Sequence, residues 1–218
     1  MFTVLLDNGH GINTPGKCSP KKEDGTRFKE YKFARTIVEC LNLKLKMMGY
    51  NVFIVTPEQE DVSLKERVRR INKVVSQFGA GNCLLISVHV DAAGNADKWM
   101  TARGWSAYTT RGQNNSDKLA ECLYNAAEER MGNDPVIKAS YAGEMNKLFR
   151  MDTTDGDKDK EADFYIIKGA NCPAVLTENL FQDNRKDVEF LESQYGIQVI
   201  TELHAAGIEK YVKSLGKK

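Results

Sequence analysis

The sequence lacks the features that mark several classes of protein. Its 218 residues include five scattered cysteines with no CxxC pair, so we expect reduced, mostly buried thiols, not a disulfide scaffold or a cysteine zinc site. Lys and Arg total 31 against 30 Asp and Glu, a balance that argues against a nucleic-acid binder. No apolar run is long enough to span a membrane, and no basic segment precedes the apolar start to form a signal peptide.

Short apolar runs alternate along the chain with helical patterns. Strands are predicted at Phe2–Leu6, Asn51–Thr56, Cys83–Val90, Ala174–Glu178 and, more weakly, Arg103–Thr110. Helices are predicted at Lys29–Met48, Leu64–Phe78 behind a Ser63 capping box, Ser116–Met131 and Lys186–Leu215, the last broken near Gly196. Strands that alternate with helices pair in parallel, so we predict a single three-layer α/β domain over residues 1–218. Helices would cover both faces of its twisted, mostly parallel sheet.

The most charge-dense segment is Asp152–Asp163. Its D-x-D-x-D spacing is similar to the start of a calcium-binding loop. However, Lys160 stands where that loop requires glycine, and Ile166 stands where it requires the closing acid. The sequence therefore predicts a solvated surface loop without a calcium site.

Two of the three histidines stand where apolar strands end. His10 follows one predicted buried strand, His89 lies at the carboxyl end of another, and both have small neighbours. Ligands bind α/β sheets at the carboxyl ends of the strands, so these imidazoles are candidates for a shared site, and imidazole is a common zinc ligand. His204 instead shares a helical face with Ile200 and Ile208, which predicts a packed structural histidine.

A catalytic zinc usually needs a third protein ligand and an open position for water. Glu30 lies on the apolar stripe of the first helix, where an unpaired carboxylate is costly to bury, whereas Arg35 and Glu39 fall on the solvent face. Alternatively, Glu30 only complements the helix dipole. In that case the third ligand would come from the preceding loop, which offers Glu23, Asp24 and Cys18.

Glu178 ends the apolar strand that follows Pro173. A glutamate beside a metal-bound water is the usual general base in zinc hydrolysis, which makes Glu178 a candidate for that role. The alternative is an acid that caps the next segment.

Several short motifs occur in order along the chain. They are Asp7–Gly11 (DNGHG), Glu30 at the start of a helix, Ser63–Arg67 with Asn72, Ser87–Asp91 (SVHVD), Gly104-Trp105, and Pro173–Glu178 with Phe181 and Asn184. Together they resemble the zinc-dependent N-acetylmuramoyl-L-alanine amidases of the amidase type 3 family, over about Thr3 to Val212. Asp91 and Leu180 depart from that family's usual asparagine and glycine.

The resemblance implies a fold like that of the zinc-dependent exopeptidases, with about one Zn²⁺ per chain. It implies that His10, Glu30 and His89 hold the metal and that Glu178 is the catalytic acid and base. Other residues are expected around the metal or against the substrate: Asp7, which either orients His10 or caps the end of its strand, together with Arg67 and Asp91. The implied reaction is hydrolysis of the amide bond between N-acetylmuramic acid and L-alanine, with peptidoglycan or muropeptides as substrate. Protein partners are not predicted.

Two other functions are compatible with the same residues. A zinc carboxypeptidase or another amidohydrolase would use the same ligand set, and a non-catalytic module would bind the cell wall without cleaving it. Peptidoglycan lies outside the cytoplasm, so the lack of a signal peptide predicts either a phage-type lysin or a mature form recorded without its leader.

Overall fold

The sheet of the computed structural model, which describes residues 1–217, has six strands in the order β2-β1-β3-β6-β4-β5. These strands are β1 (Thr3–Asn8), β2 (Asn51–Ile54), β3 (Cys83–Asp91), β4 (Ser106–Thr109), β5 (Lys160–Glu161) and β6 (Ala174–Phe181). Every neighbouring pair is parallel except β4 and β6, which are antiparallel. The predicted mostly parallel sheet is therefore confirmed.

The described residues form seven α-helices around this sheet. They are α1 (Glu30–Met47), α2 (Leu64–Phe78), α3 (Asn115–Met131), α4 (Pro135–Ser140), α5 (Tyr165–Lys168), α6 (Arg185–Glu192) and α7 (Gln194–Ser214). The sequence did not predict α4, α5 or β5, because segments of six, four and two residues are too short to show a period. Within residues 1–217, no helix is both long and apolar enough to cross a membrane.

The central strands are buried on both faces, which produces the predicted three layers. Alternate side chains of a strand point to opposite faces of the sheet. Val4 and Leu6 of β1 therefore join one core with α1, α3 and α7, whereas Leu5 joins a second core with α2 and α5. Burial of these apolar side chains supplies the main stabilisation of the sheet, at about 25 cal/mol for each Å² removed from water.

The break in the C-terminal helical segment lies at Ser193, not near Gly196 as predicted. Ser193 Oγ accepts a hydrogen bond from the Gly196 amide at 2.9 Å and so caps α7. Gly196 lies within the first turn of α7, where an added Cβ would stand 1.9 Å from the Phe190 carbonyl oxygen. The glycine therefore permits close approach of α6 to α7 and does not end a helix.

The prediction of a solvated loop at Asp152–Asp163 is wrong for its second half. Residues 153–156 are exposed, but Asp159 is only 2% exposed, and the next two residues pair with β4 as β5. The pairing brings Asp159 against β4, where the Thr109 hydroxyl lies 2.6 Å from Asp159 Oδ2. A short edge strand thus buries a carboxylate that the charge pattern placed in solvent.

The thiols are less buried than expected. All five cysteines are unpaired. Only Cys83 is buried, and the other four are partly exposed. The expectation of mostly buried thiols is therefore wrong.

Candidate active site

The carboxyl ends of β1 and β3 and the middle of β6 bring three of the predicted site residues together. The prediction that Glu178 ends its strand is wrong, because β6 continues to Phe181. His10 follows β1, and His89 lies near the end of β3. Glu178 is the register partner of His89 in the neighbouring strand β6. Glu30, the first residue of α1, contacts both imidazoles.

Both imidazoles contact the same carboxylate oxygen. His89 Nδ1 lies 3.1 Å and His10 Nε2 lies 3.4 Å from Glu30 Oε1, and the two rings meet edge to face with centroids 5.0 Å apart. The donor atoms of these three residues all lie within 4.8 Å of one another. The arrangement places two imidazole nitrogens and a carboxylate in reach of a single cation.

Glu30 is buried, with an exposed fraction of 1%. Its Oε1 also accepts a hydrogen bond from the Val90 amide at 3.0 Å, whereas its Oε2 is shielded from solvent and has no hydrogen-bond partner within residues 1–217. Burial alone raises the pKa of Glu30, but the hydrogen bonds with His10 and His89 outweigh it and hold this pKa well below its ordinary value. The helical pattern thus correctly predicted a core-facing carboxylate, and its hydrogen bonds favour the ionised form.

The competing loop ligands do not join this group. Glu23 and Asp24 are exposed, and Asp24 accepts hydrogen bonds from Thr26. The Cys18 sulfur lies 3.9 Å from an Arg27 guanidinium nitrogen.

The backbone of His10 is strained and is held by arginines. His10 has a φ of 63°, in the left-handed region that a residue with a Cβ seldom adopts. Its carbonyl oxygen accepts hydrogen bonds from Arg35 at 3.0 Å and from Arg67 at 3.4 Å. Arg67 also donates to the Asn8 carbonyl at 2.7 Å. These contacts fix the turn that carries the His10 imidazole.

Arg35 was predicted on the solvent face of α1 and is instead buried, with 8% exposure. Its guanidinium also donates to the Glu58 carbonyl at 2.6 Å, so the long side chain folds back over the His10 turn. Glu39, predicted on the same solvent face, is exposed as expected.

Asp7 contacts Arg67 and Ser87, not the His10 ring. Arg67 donates to Asp7 Oδ1 at 2.8 Å and Ser87 donates to Oδ2 at 2.7 Å, and both Asp7 and Arg67 are almost fully buried. The expected direct contact of Asp7 with the His10 ring is therefore wrong. Asp7 supports His10 indirectly: it pairs with Arg67, and Arg67 donates hydrogen bonds to backbone carbonyls of the turn that carries His10. Breaking such a buried ion pair typically costs about 3–5 kcal/mol.

Sequence reasoning missed Asn179, which holds the strand that carries His89. Asn179 Nδ2 donates to the His89 carbonyl at 2.9 Å, and its Oδ1 accepts from Trp105 Nε1 at 3.0 Å. The signal available in the sequence was the position of Asn179 directly after Glu178. Adjacent residues of a strand point to opposite faces of the sheet, so Asn179 points away from the face that carries Glu178.

Glu178 is a partly buried carboxylic acid beside the two histidines. Its Oε2 is shielded from solvent and has no hydrogen-bond partner in the part of the chain that the structure describes. Burial raises its pKa well above the ordinary value, and the negative charges of Glu30 and Asp91 raise it further. A carboxyl group whose pKa is raised in this way is suited to take up and release a proton, as acid–base chemistry requires.

The two departures from the family pattern lie next to this glutamate. Asp91 follows an irregularity in the β3–β6 register, and burial raises its pKa. Leu180 has a φ of 65°, so the backbone keeps a conformation that favours glycine while the side chain is buried in the core.

His204 lies in the helical core, as predicted. Its Nε2 lies 2.9 Å from Thr177 Oγ1 and its Nδ1 lies 2.7 Å from the Ile200 carbonyl oxygen. Burial lowers its pKa to about 4, so this imidazole is neutral and structural.

Known proteins resemble this chain over nearly its whole length. An endolysin of Bacillus phage SPP1 is 26% identical over 99% of this chain and 67% of its own length. The amidase AmiC of Neisseria meningitidis is 24% identical over 97% of this chain. The chain spans about two thirds of that endolysin and about half of AmiC, at 53%.

Solved structures share the fold. An N-acetylmuramoyl-L-alanine amidase from Clostridium difficile 630 superposes with a TM-score of 0.74 at 20% identity, covering 98% of this chain and 97% of the other. The catalytic domain of the amidase CwlV from Bacillus (Paenibacillus) polymyxa gives 0.71 at 20% identity, covering 98% and 99%. The sequence profile of the N-acetylmuramoyl-L-alanine amidases (Amidase_3) matches residues 4–210. The chain therefore belongs to the N-acetylmuramoyl-L-alanine amidases, a family of enzymes.

Proposed function

We propose that this chain is a zinc-dependent enzyme that hydrolyses the amide bond between N-acetylmuramic acid and L-alanine in peptidoglycan. The observation that carries the proposal is the convergence of His10, Glu30 and His89 beside Glu178 at the strand ends. Membership of the amidase family, and relatives named as an endolysin and as cell-wall amidases, support the substrate class. We accordingly place the action of the protein at the cell wall and treat residues 1–218 as one catalytic domain.

The donor set fits zinc. Two imidazole nitrogens and one carboxylate oxygen are a ligand set found in catalytic zinc sites, which keep a further position for water. The buried, unpartnered Glu30 Oε2 is a second sign that a cation belongs there, because an uncompensated carboxylate oxygen is costly to bury. Within residues 1–217, Glu178 is not among the residues whose donor atoms cluster within 4.8 Å. This supports a role for Glu178 beside the metal, not as a ligand.

The proposed chemistry divides between the metal and Glu178. Bound zinc supplies Lewis-acid activation of water and of the substrate carbonyl. Glu178 accepts the proton of the attacking water and later donates it to the departing L-alanine nitrogen. A partly buried carboxylate of raised pKa can do both, because it holds the proton between the two steps.

The remaining contacts hold the site in place before substrate binds. Arg35 and Arg67 fix the carbonyl of His10, and Asn179 fixes the carbonyl of His89. Metal-binding imidazoles need such support, because loss of an outer partner typically costs about 10- to 100-fold in metal affinity or activity.

Digestion of purified sacculi by the zinc-loaded protein tests the activity. We expect new L-alanine amino termini without new reducing sugar ends, and loss of this product on chelation with recovery when zinc is restored. A zinc carboxypeptidase would instead release carboxyl-terminal amino acids from simple peptides. A wall-binding module would sediment with sacculi and release nothing, and either result would contradict the proposal.

A smaller change at Gly9 tests whether His89 must keep its present position. A Cβ at Gly9 would lie 2.4 Å from the His89 imidazole, so the ring must shift in Gly9→Ala. We expect zinc affinity to fall about 10- to 100-fold, the range seen when an imidazole loses its orientation. Competition with a chromogenic chelator measures this affinity.

Gly81→Ala is the matched control, because its Cβ would meet only Lys217 Nζ, at 3.9 Å. Unchanged zinc affinity in Gly9→Ala would show that His89 tolerates displacement, and would argue against its role as a ligand.

A further inference from the structure

Three carboxylates converge outside the active site. Asp117 lies in the first turn of α3, and Asp157 and Asp159 lie in the loop that leads into β5. Each offers an oxygen atom, and these atoms lie within 4.8 Å of one another. The Thr109 hydroxyl, at the end of β4, contacts Asp117 Oδ1 at 2.9 Å and Asp159 Oδ2 at 2.6 Å.

The innermost carboxylate is not satisfied by the protein. Asp159 has an exposed fraction of only 2%, and its Oδ1 has no hydrogen-bond partner among residues 1–217. Oδ1 of Asp157 is likewise shielded and unpartnered over the same residues. A buried carboxylate oxygen without a donor is costly, so these atoms point to a missing positive group.

The nearby lysine does not supply that charge. Lys158 lies between the two loop aspartates in sequence, but its ammonium group donates to Asn125 at 2.9 Å and Glu128 at 3.0 Å instead. Burial raises the pKa of Asp159 to about 7; the Thr109 hydrogen bond lowers it, and the charges of Asp157 and Asp117 raise it. Lys158 therefore does not balance the three carboxylates, and their mutual repulsion contributes to the raised pKa of Asp159.

We propose that Asp117, Asp157 and Asp159 bind one hard divalent cation, Ca²⁺ being the favoured ion, with the Thr109 hydroxyl as a neutral oxygen ligand. Ca²⁺ takes oxygen ligands at about 2.3–2.6 Å, so oxygens on opposite sides of one ion stand about 4.8 Å apart. The three carboxylates each offer an oxygen within this span of the others, so one ion can contact all three.

An open cavity of about 940 Å³, lined by Asp117 and Asp157 among others, borders the cluster. It gives a route for the ion and room for the waters that complete its coordination. The site differs from the calcium-loop motif rejected above, because one of its ligands comes from a helix far along the chain. The cation would tie the loop before β5 to the start of α3. This inference does not depend on the proposed hydrolysis.

Calorimetric titration of the zinc-loaded protein with CaCl2 at pH 8 tests the site. We expect about one Ca²⁺ per chain. At a hundredfold excess over Kd, the thermal midpoint should rise by about 5–10 °C. Asp159→Asn should weaken binding at least about tenfold, because a buried ligand charge is lost. Asp157→Asn, at a less buried position, gives an independent variant should Asp159→Asn fold poorly.

Asp155→Asn is the matched control, because it removes one charge from an exposed position of the same loop and should bind Ca²⁺ normally. No heat and no thermal shift with Ca²⁺, Mg²⁺ or Mn²⁺ up to about 10 mM would overturn the proposal, since even weak calcium sites bind at about 10⁻³ M. Equal weakening by Asp155→Asn would also overturn it, because the effect would then be general charge. Stability that falls from about pH 4 to 7, with no response to cations at pH 8, would assign the cluster a shared proton instead of an ion.

Discussion

Replacing Glu178 with Gln is expected to slow peptidoglycan hydrolysis at least about a hundredfold while zinc content and folding stay unchanged. Glutamine keeps the size and shape of the side chain but cannot accept the proton of the attacking water. Zinc should remain, because Glu178 stands outside the group formed by His10, Glu30 and His89. Folding should not suffer, because the negative charges of Glu30 and Asp91 disfavour ionised Glu178 and the amide removes that repulsion.

Three measurements on one preparation separate the outcomes: turnover of sacculi, zinc per chain and the thermal midpoint. Glu39→Gln is the matched control, since it makes the same chemical change on the exposed face of α1 and should leave all three unchanged. Loss of zinc from Glu178→Gln would make Glu178 a ligand. Near-normal turnover would place the base elsewhere, with Asp91 as the first candidate, because its carboxylate is close enough to Glu178 for its charge to raise the pKa of that residue.

The residues of the candidate site could be predicted because the local sequence around each of them indicates where it lies in the fold. His10 and His89 follow apolar strands, and parallel strands present their carboxyl ends at one edge of the sheet. Glu30 was found by helical periodicity, since its place on the apolar stripe of α1 requires it to face inward. Glu178 was found because it closes an apolar run after Pro173, and the strand register of the structure sets it beside His89.

The supporting contacts were not predictable in the same way. A helical wheel gives the direction of a Cα–Cβ bond, but Arg35 is long enough to leave the solvent face and reach the His10 carbonyl. Asn179 binds the backbone of a neighbouring strand, and this partner is set by register, not by any local pattern. The hydrogen-bond partners of such polar side chains come close only in the folded structure, so the sequence alone does not reveal them.

The cluster of carboxylates at the acidic loop could not be predicted from the sequence either. Its sequence does not match a continuous calcium-loop motif, because that motif requires glycine at Lys160 and an acid at Ile166. The structure adds Asp117 from α3, which no spacing within the loop can reveal. Edge pairing of β5 then buries Asp159, and a two-residue strand leaves no periodic signal.

Removing either histidine of the proposed zinc site is expected to abolish hydrolysis and to release most of the metal. In His10→Ala or His89→Ala only two protein ligands remain. Loss of an outer partner of a ligand typically lowers affinity about 10- to 100-fold, and loss of a ligand itself should lower zinc affinity by more than that. The protein should still fold, because its two apolar cores are built without the metal, and chelation should likewise lower the thermal midpoint only in part. Metal analysis after dialysis against a weak chelator, with thermal unfolding of the same samples, measures both effects.

His204→Gln provides the opposite control. His204 is buried between Thr177 and Ile200 and takes no part in the metal group, so this variant should lose stability and keep its zinc. Buried hydrogen-bonded side chains typically contribute about 1–3 kcal/mol when a partner is left unpaired. The two measurements thus distinguish the histidines: substitution of His10 or His89 lowers the zinc content, whereas substitution of His204 lowers the stability of the fold. Full zinc occupancy in His10→Ala or His89→Ala would remove the zinc assignment, and Glu30 would then be a buried acid paired with the imidazoles and the Val90 amide.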